Sequence, residues 1–238
     1  MTALSAGLRG RRPVDLIIFD CDGVLVDSEP LAIRVLVSAL AAQGIAVTQQ
    51  AAFRDYLGRS LASISASLID SHGVPLGPAA LQAMRGDLYA LYRDELRPSP
   101  GLPDILDKLD IPFCVASSST LERIRLSLDL TGLLPWFEGK IFSASMVEHG
   151  KPEPDLFLHA AQAMGVSPSN CLVIEDSPAG IVAARRAGMA VFSYVGASHM
   201  APSGLRTTIE NLQPDLVFDD MQDLPDRVSS FRTEKKAP

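Results

Sequence analysis

The sequence predicts an α/β fold: a parallel sheet with helices on both faces, interrupted early by an inserted all-α unit. Three observations predict it. Short apolar runs recur at LIIF (16–19), FCVA (113–116), CLVI (171–174), AVFSYV (190–195) and LVF (216–218), with helical patterns between several of them. Strands that alternate with helices build parallel sheets, because each parallel connection needs a crossover. Helix punctuation falls where that alternation requires it, and one long interval, from about Pro30 to Arg97, carries no convincing strand.

Taken in order, LIIF is the first buried strand and breaks abruptly into DCDG, Asp20 to Gly23. The strandless interval then holds PLAIRVLVSALAAQG, TQQAAFRDYLG, SLASISASLIDSHG and GPAALQAMRGDLYALYRDEL, each with apolar residues at three- and four-residue spacings. RPSPG (97–101) ends it, a joint that helices do not readily cross. The insert is roughly seventy residues, within the ordinary size range of a domain. Its two crossing points, about 26–30 and 96–101, form a two-strand hinge. After FCVA, the segment SSSTLERIRLSLDLTG reads as a helix with a capping box, Ser119 with Glu122, closing near Gly132. After CLVI, DSPAGIVAARRAG sets Ser177 as N-cap, Pro178 at the first helical position and Gly188 past the end. The expected organisation is a core of 14–27 with 99–228, a helical unit of 28–98, and flexible tails at 1–13 and 229–238.

Composition narrows the function. At 238 residues, 47% hydrophobic and 21% charged, the chain reads as a soluble globular protein. Its net charge of −7 gives no reason to expect nucleic acid or an anionic membrane as partner. Arg9, Arg11 and Arg12 are followed by no long apolar run, so neither a secretory signal nor a membrane span is expected, and a cytoplasmic location is the default. Cys21, Cys114 and Cys171 lack metal-type spacing. The latter two read as small buried hydrophobes and Cys21 as a spacer between two aspartates.

In an open parallel sheet, ligands bind beyond the carboxyl ends of the strands. After LIIF stand Asp20 and Asp22; after FCVA, Ser117, Ser118 and Ser119; after CLVI, Glu175 and Asp176; and the loop HGKPEPD carries Lys151. Each has a plain structural reading: a turn, an N-cap, acids that complement a helix dipole, a surface lysine. Their convergence on one sheet edge points further. Carboxylates from two strand ends repel unless a cation joins them, and oxygen-rich acid clusters suit Mg²⁺. The serines, Lys151 and nearby helix N-termini form an anion cradle. A hard cation beside an anion cradle suggests phosphoryl chemistry.

DCDGVLVDS, the serine after FCVA, GKPEPDLF and LVIEDSPAGIVAARRAGM stand in the order and contexts of the four motifs of the haloacid dehalogenase-like superfamily, which the chain resembles from about Val14 to Leu224. The resemblance implies a Rossmann-like core with an inserted all-α helical cap domain, as in the subgroup of β-phosphoglucomutase, phosphoglycolate phosphatase and sugar-phosphate phosphatases. It implies that Asp20 is the nucleophile, forming an aspartyl-phosphate, and that Asp22 is the general acid/base. It further implies that Ser117 and Lys151 hold the transferring phosphoryl group. Mg²⁺ is implied on Asp176, the Asp20 carboxylate and the Asp22 backbone carbonyl, with Glu175 ligating directly or through water. Gly23 lets the backbone turn close to the phosphate. Asp22, which dehalogenases do not use, points away from dehalogenation. The mutases of the subgroup carry a histidine where DSEPLA has Ala32, and their substrate-loop arginine falls near Leu61, so a phosphatase is expected and a phosphomutase is the alternative. A non-catalytic phospholigand binder is a third reading, disfavoured by the intact acid pair. Ser118, after FCVA, and Arg59, on the loop GRS, are each expected to touch the substrate, a small phosphorylated metabolite such as a sugar or sugar-acid phosphate. A monomer or small homo-oligomer is expected.

Overall fold

In the computed structural model, residues 13–57, 61–73 and 75–232 are described. The first strand, β1 (Leu16–Phe19), gives way to helices α1 (Glu29–Ala42), α2 (Gln49–Tyr56), α3 (Leu61–His72) and α4 (Pro78–Glu95). The chain then alternates: α5 (Leu102–Leu106), β2 (Phe113–Ser117), α6 (Leu121–Leu130), α7 (Leu134–Phe137), β3 (Ile141–Ser143), α8 (Asp155–Ala163), β4 (Cys171–Glu175), α9 (Pro178–Arg186) and β5 (Ala190–Tyr194). It closes with α10 (Met200–Ser203), α11 (Leu205–Asn211), β6 (Leu216–Phe218) and α12 (Leu224–Phe231). The strands form one six-stranded sheet, ordered β3-β2-β1-β4-β5-β6, and every pairing is parallel.

The apolar runs read as strands because both faces of the sheet are covered. Ile17, Phe19, Val115, Leu172 and Ile174 belong to one core. Their chain neighbours Leu16, Ile18, Cys114, Ala116 and Val173 belong to another on the opposite face. Alternation of side chains across the pleat thus feeds two layers, and each fully buried Leu, Ile or Phe contributes about 1.5–3 kcal/mol of transfer free energy. Strand β3 is an addition to the sequence reading, which assigned nothing to IFS.

The sheet order places a topological switch at β1. The chain moves from β1 outward to β2 and β3, then returns to the other side of β1 as β4. The carboxyl ends of β1, β2 and β4 therefore flank a crevice where ligands bind in open parallel sheets.

The four helices after β1 have an apolar centre of their own, including Leu36, Leu40, Phe53 and Leu68. The chain enters and leaves this insert at adjacent points. Val26 and Pro98 form an antiparallel bridge; the Asp27 amide donates to the Arg97 carbonyl at 3.0 Å, and the Ser99 amide to the Leu25 carbonyl at 2.9 Å. The Ser99 hydroxyl adds a buried bond to the Val24 carbonyl at 2.6 Å.

At the far end, α12 runs through residues expected to be a loose tail. Phe231 is buried, and its ring meets Phe192 edge-on at 5.0 Å. Expectations for 1–12 and 233–238 lie outside the described residues. Among the described residues, no helix is long and apolar enough to cross a membrane. All three cysteines are free and buried. Cys21 joins the apolar core, and its carbonyl accepts from the amides of Leu25 and Val26, at 2.9 and 3.1 Å, which folds the turn after β1.

Candidate active site

The crevice opens into a cavity of about 1040 Å³ whose lining includes Asp20, Asp22, Ser117, Lys151, Glu175 and Asp176. These residues come from strand ends and loops far apart in sequence, and the sheet brings them together. Ser118 lines it too, as do Glu29, Ala32 and Arg85 from the helical insert. Arg59 lies outside the described residues.

Asp20 follows β1 directly and is buried. Lys151 donates to its Oδ1 at 2.6 Å, to Glu175 Oε1 at 2.7 Å and to the Ala116 carbonyl at 3.1 Å. With only 3% of its side chain exposed, Lys151 is no surface lysine, and these two carboxylates push its pKa up against the effect of burial. Burial pushes Asp20 well above the ordinary carboxylate range; Lys151 opposes that, while Glu175, Asp176 and Asp22 add to it.

Glu175 is bound at both oxygens. Oε1 takes Lys151, and Oε2 accepts from the amides of Asp176 and Ser177 at 3.0 and 2.9 Å and from the Ser177 hydroxyl at 2.9 Å. Ser177 also caps α9, accepting from the Gly180 amide at 3.0 Å. The helix start and the Lys151 anchor are thus one construction. Gly180 makes room for it: a Cβ there would stand 1.8 Å from Glu175 Oε1.

Oxygen atoms of Asp20, Glu175 and Asp176 lie within 4.8 Å of one another, and all three residues are buried. This donor set fits a divalent cation: it is all oxygen, carries more negative charge than Lys151 offsets, and leaves Asp176 with no lysine or arginine partner among the described residues. Asp176 instead meets His199 Nε2 at 3.1 Å, in a contact where both side chains are buried. Burial raises the Asp176 pKa, and His199 counters it. Gly23, at φ +81°, packs under this pair; a Cβ would fall 1.9 Å from Asp176 Oδ2 and 2.9 Å from His199 Cε1. Only glycine fits there, by conformation and by space.

Asp22 faces a different set of partners. Its Oδ1 accepts from Ser28 at 2.6 Å and Arg123 at 2.9 Å. Its Oδ2 accepts from Ser119 at 2.6 Å and Ser117 at 3.5 Å. Burial pushes its pKa up, but Arg123 and the hydroxyls of Ser119 and Ser28 outweigh burial and hold it below its ordinary value. The two aspartates of DCDG therefore occupy separate environments, one against Lys151 and one against Arg123.

One reading of the sequence changes here. Ser119 is not the cap of α6; Thr120 is, accepting from the Arg123 amide, and Ser119 turns instead to Asp22. Ser28 precedes α1 without capping it, because its hydroxyl is spent on Asp22. Sequence reasoning missed Ser28, Glu29, Arg123 and His199. Arg123 carried the one usable signal, a position three residues past a helix cap at a strand end.

Comparison with known proteins identifies the family. The family model for haloacid dehalogenase-like hydrolases matches residues 14–188. The chain is 33% identical over 190 residues to 6-phosphogluconate phosphatase of Escherichia coli, covering 79% of this chain and 86% of that one. It is 33% identical over 176 residues to the fructose-1-phosphate phosphatase of the same organism, covering 73% and 92%. Among solved structures, a conserved haloacid dehalogenase-like protein of unknown function from Agrobacterium tumefaciens superposes with a TM-score of 0.81 at 34% identity, covering 91% of this chain and 98% of that one. A related hydrolase from Deinococcus radiodurans, solved with bound phosphate and sodium, gives 0.76 at 29% identity, covering 92% and 96%. On its matched motifs, fold and relatives, the chain belongs to the haloacid dehalogenase-like hydrolase family.

Proposed function

We propose that the protein is a cytoplasmic, Mg²⁺-dependent phosphatase that hydrolyses a small phosphate monoester, a sugar or sugar-acid phosphate, through an aspartyl-phosphate on Asp20. The observation that carries this reading is the separation of duties at the site: Asp20 bound to Lys151 at 2.6 Å, and Asp22 held apart by hydroxyls and Arg123. A binding protein needs an anion cradle but not a nucleophile beside a second, independent acid.

In the first half-reaction, a carboxylate oxygen of Asp20 attacks phosphorus and the ester P–O bond breaks. Lys151 and Ser117 neutralise and orient the phosphoryl oxygens, and Asp22 delivers a proton to the departing alkoxide. In the second, Asp22 takes a proton from water as its oxygen attacks phosphorus, which frees phosphate and regenerates Asp20. Mg²⁺ held by Asp20, Asp176 and the Asp22 carbonyl would supply charge neutralisation for the phosphate and the acid cluster together. Glu175 serves this reading best as the anchor of Lys151, since both its oxygens are engaged. Helices α1–α4, within 28–98, act as the cap over the core of 14–27 and 99–228, hinged on the paired segments at Val26 and Pro98. Ala32 supports hydrolysis over mutase chemistry, because its methyl lines the cavity where the mutases of the resemblance carry a proton-bearing ring.

The test is turnover of p-nitrophenyl phosphate and a panel of sugar phosphates, with and without Mg²⁺, for the wild type, Asp20→Asn and Asp22→Asn. Asp20→Asn should abolish turnover. Asp22→Asn should lose about 10²–10⁴-fold in kcat while metal affinity, read by calorimetry, stays within about threefold. Activity that survives both chelation and Asp20→Asn overturns the reading, and interconversion of hexose phosphates would favour a mutase.

A further inference from the structure

Arg123 lies on the first turn of α6, with its Cζ 5.6 Å from the centre of the Tyr92 ring on α4. One of its five guanidinium donors is committed, to Asp22 at 2.9 Å. Its Nε is buried with no partner among the described residues, and a quarter of the side chain (25%) stays exposed where it lines the cavity. A guanidinium fork so placed has donors to spare beside the reacting groups.

The carboxylate it holds is fully subscribed. Oδ1 of Asp22 accepts from Ser28 and Arg123, and Oδ2 from Ser119 and Ser117. Asp22 therefore keeps three hydroxyl donors if the guanidinium turns toward a second anion in the cavity. A buried guanidinium parts from its carboxylate at low cost only when another anion replaces it. The natural replacement has the chemistry of the group displaced, a second carboxylate. Ser117 and Arg123 are bridged by the single Asp22 side chain, so a carboxylate on the same small substrate as a phosphate seated on Ser117 comes within reach of Arg123.

We propose that Arg123 recognises a carboxylate on the substrate. The preferred substrates are then phosphorylated acids, and the preference arises on the core domain. The inference rests on the phosphatase reading above. Glu29 lines the same cavity, so the incoming carboxylate must pair with Arg123 closely enough to outweigh it.

The test compares two matched pairs, 6-phosphogluconate with sorbitol 6-phosphate and 3-phosphoglycerate with glycerol 3-phosphate. Each pair differs by a carboxylate against a hydroxymethyl group. Phosphate release is measured for the wild type, Arg123→Gln and Arg123→Lys, with folding checked by thermal melting. A hydrogen bond to a charged group predicts a wild-type preference of about 10- to 100-fold in kcat/KM for the acid of at least one pair. Arg123→Gln should cost the acid at least about tenfold more than its partner, and Arg123→Lys, which keeps charge without the fork, should lose an intermediate share. If Arg123→Gln does not fold, Arg123→Lys carries the test alone. Equal turnover within both pairs by the wild type, or a preference that survives substitution, overturns the proposal and leaves the phosphatase reading standing. No phosphate release from any of the four overturns both.

Discussion

Gly180→Ala reverses the usual sign of a helical substitution. In an exposed helix interior, alanine in place of glycine stabilises by about 1 kcal/mol. In α9 the added Cβ would stand 1.8 Å from Glu175 Oε1 and 1.9 Å from its Cδ, far inside van der Waals contact. Glu175 is buried, so its carboxylate must shift, and the shift breaks the 2.7 Å bridge to Lys151 and disturbs the bonds from Asp176 and Ser177. Breaking a buried ion pair costs about 3–5 kcal/mol. Net of the helix gain, the variant should lose about 2–4 kcal/mol, or roughly 4–8 °C of Tm at about 2 °C per kcal/mol for a chain of this length. Differential scanning calorimetry in chelator reads the loss without compensation by a cation. Turnover with excess Mg²⁺ should fall at least about tenfold, since Lys151 loses its second anchor. In a Glu175→Ala background the same substitution should become neutral or stabilising by about 1 kcal/mol. An unchanged or raised Tm for Gly180→Ala alone would refute the reasoning.

Three further outcomes follow from the same geometry. His199→Ala removes the partner that orients Asp176, and Mn²⁺ affinity measured by calorimetry should weaken about 10–100-fold; affinity within threefold of wild type would show that His199 only fills space. Burial and Asp22 push Glu29 from 4.5 up to about 7, so the folded chain keeps a proton that the unfolded chain gives up. Stability should therefore fall as pH rises from about 4.5 to about 7, and urea unfolding of Glu29→Gln in chelator should show a shallower fall than wild type. EDTA should abolish phosphate release and excess Mg²⁺ restore it, a result read by the same colorimetric assay in both directions.

Most of the sheet was legible in the sequence because parallel strands buried on both faces appear as continuous apolar runs. LIIF, FCVA and CLVI are buried along their whole lengths. IFS escaped because three residues carry no period. At the site, the residues at strand ends were legible from position alone: Asp20 after β1, Ser117 closing β2, and Asp176 after β4. The partners of Asp22 were not. Ser28, Ser119 and Arg123 are six, 97 and 101 residues from it and share no spacing that marks convergence. Ser119 fitted a capping box equally well, and only the fold decided between cap and ligand. His199 is a lone histidine on a loop after β5, and nothing local announces that it meets Asp176.

The ladder at Val26 and Pro98 also bears on how the chain finds its shape. Pairing β1 with β2 requires two segments separated by the whole helical insert to meet, and the entropy of closing so long a loop must be paid before any strand contact rewards it. Once the insert has gathered its own apolar centre, the bonds from Asp27 to Arg97 and from Ser99 to Leu25 bring its two ends together. The remaining stretches to Phe19 and Phe113 are then short. The ladder at the base of the insert thus makes the β1–β2 pairing, which spans the whole insert, a nearly local one during folding.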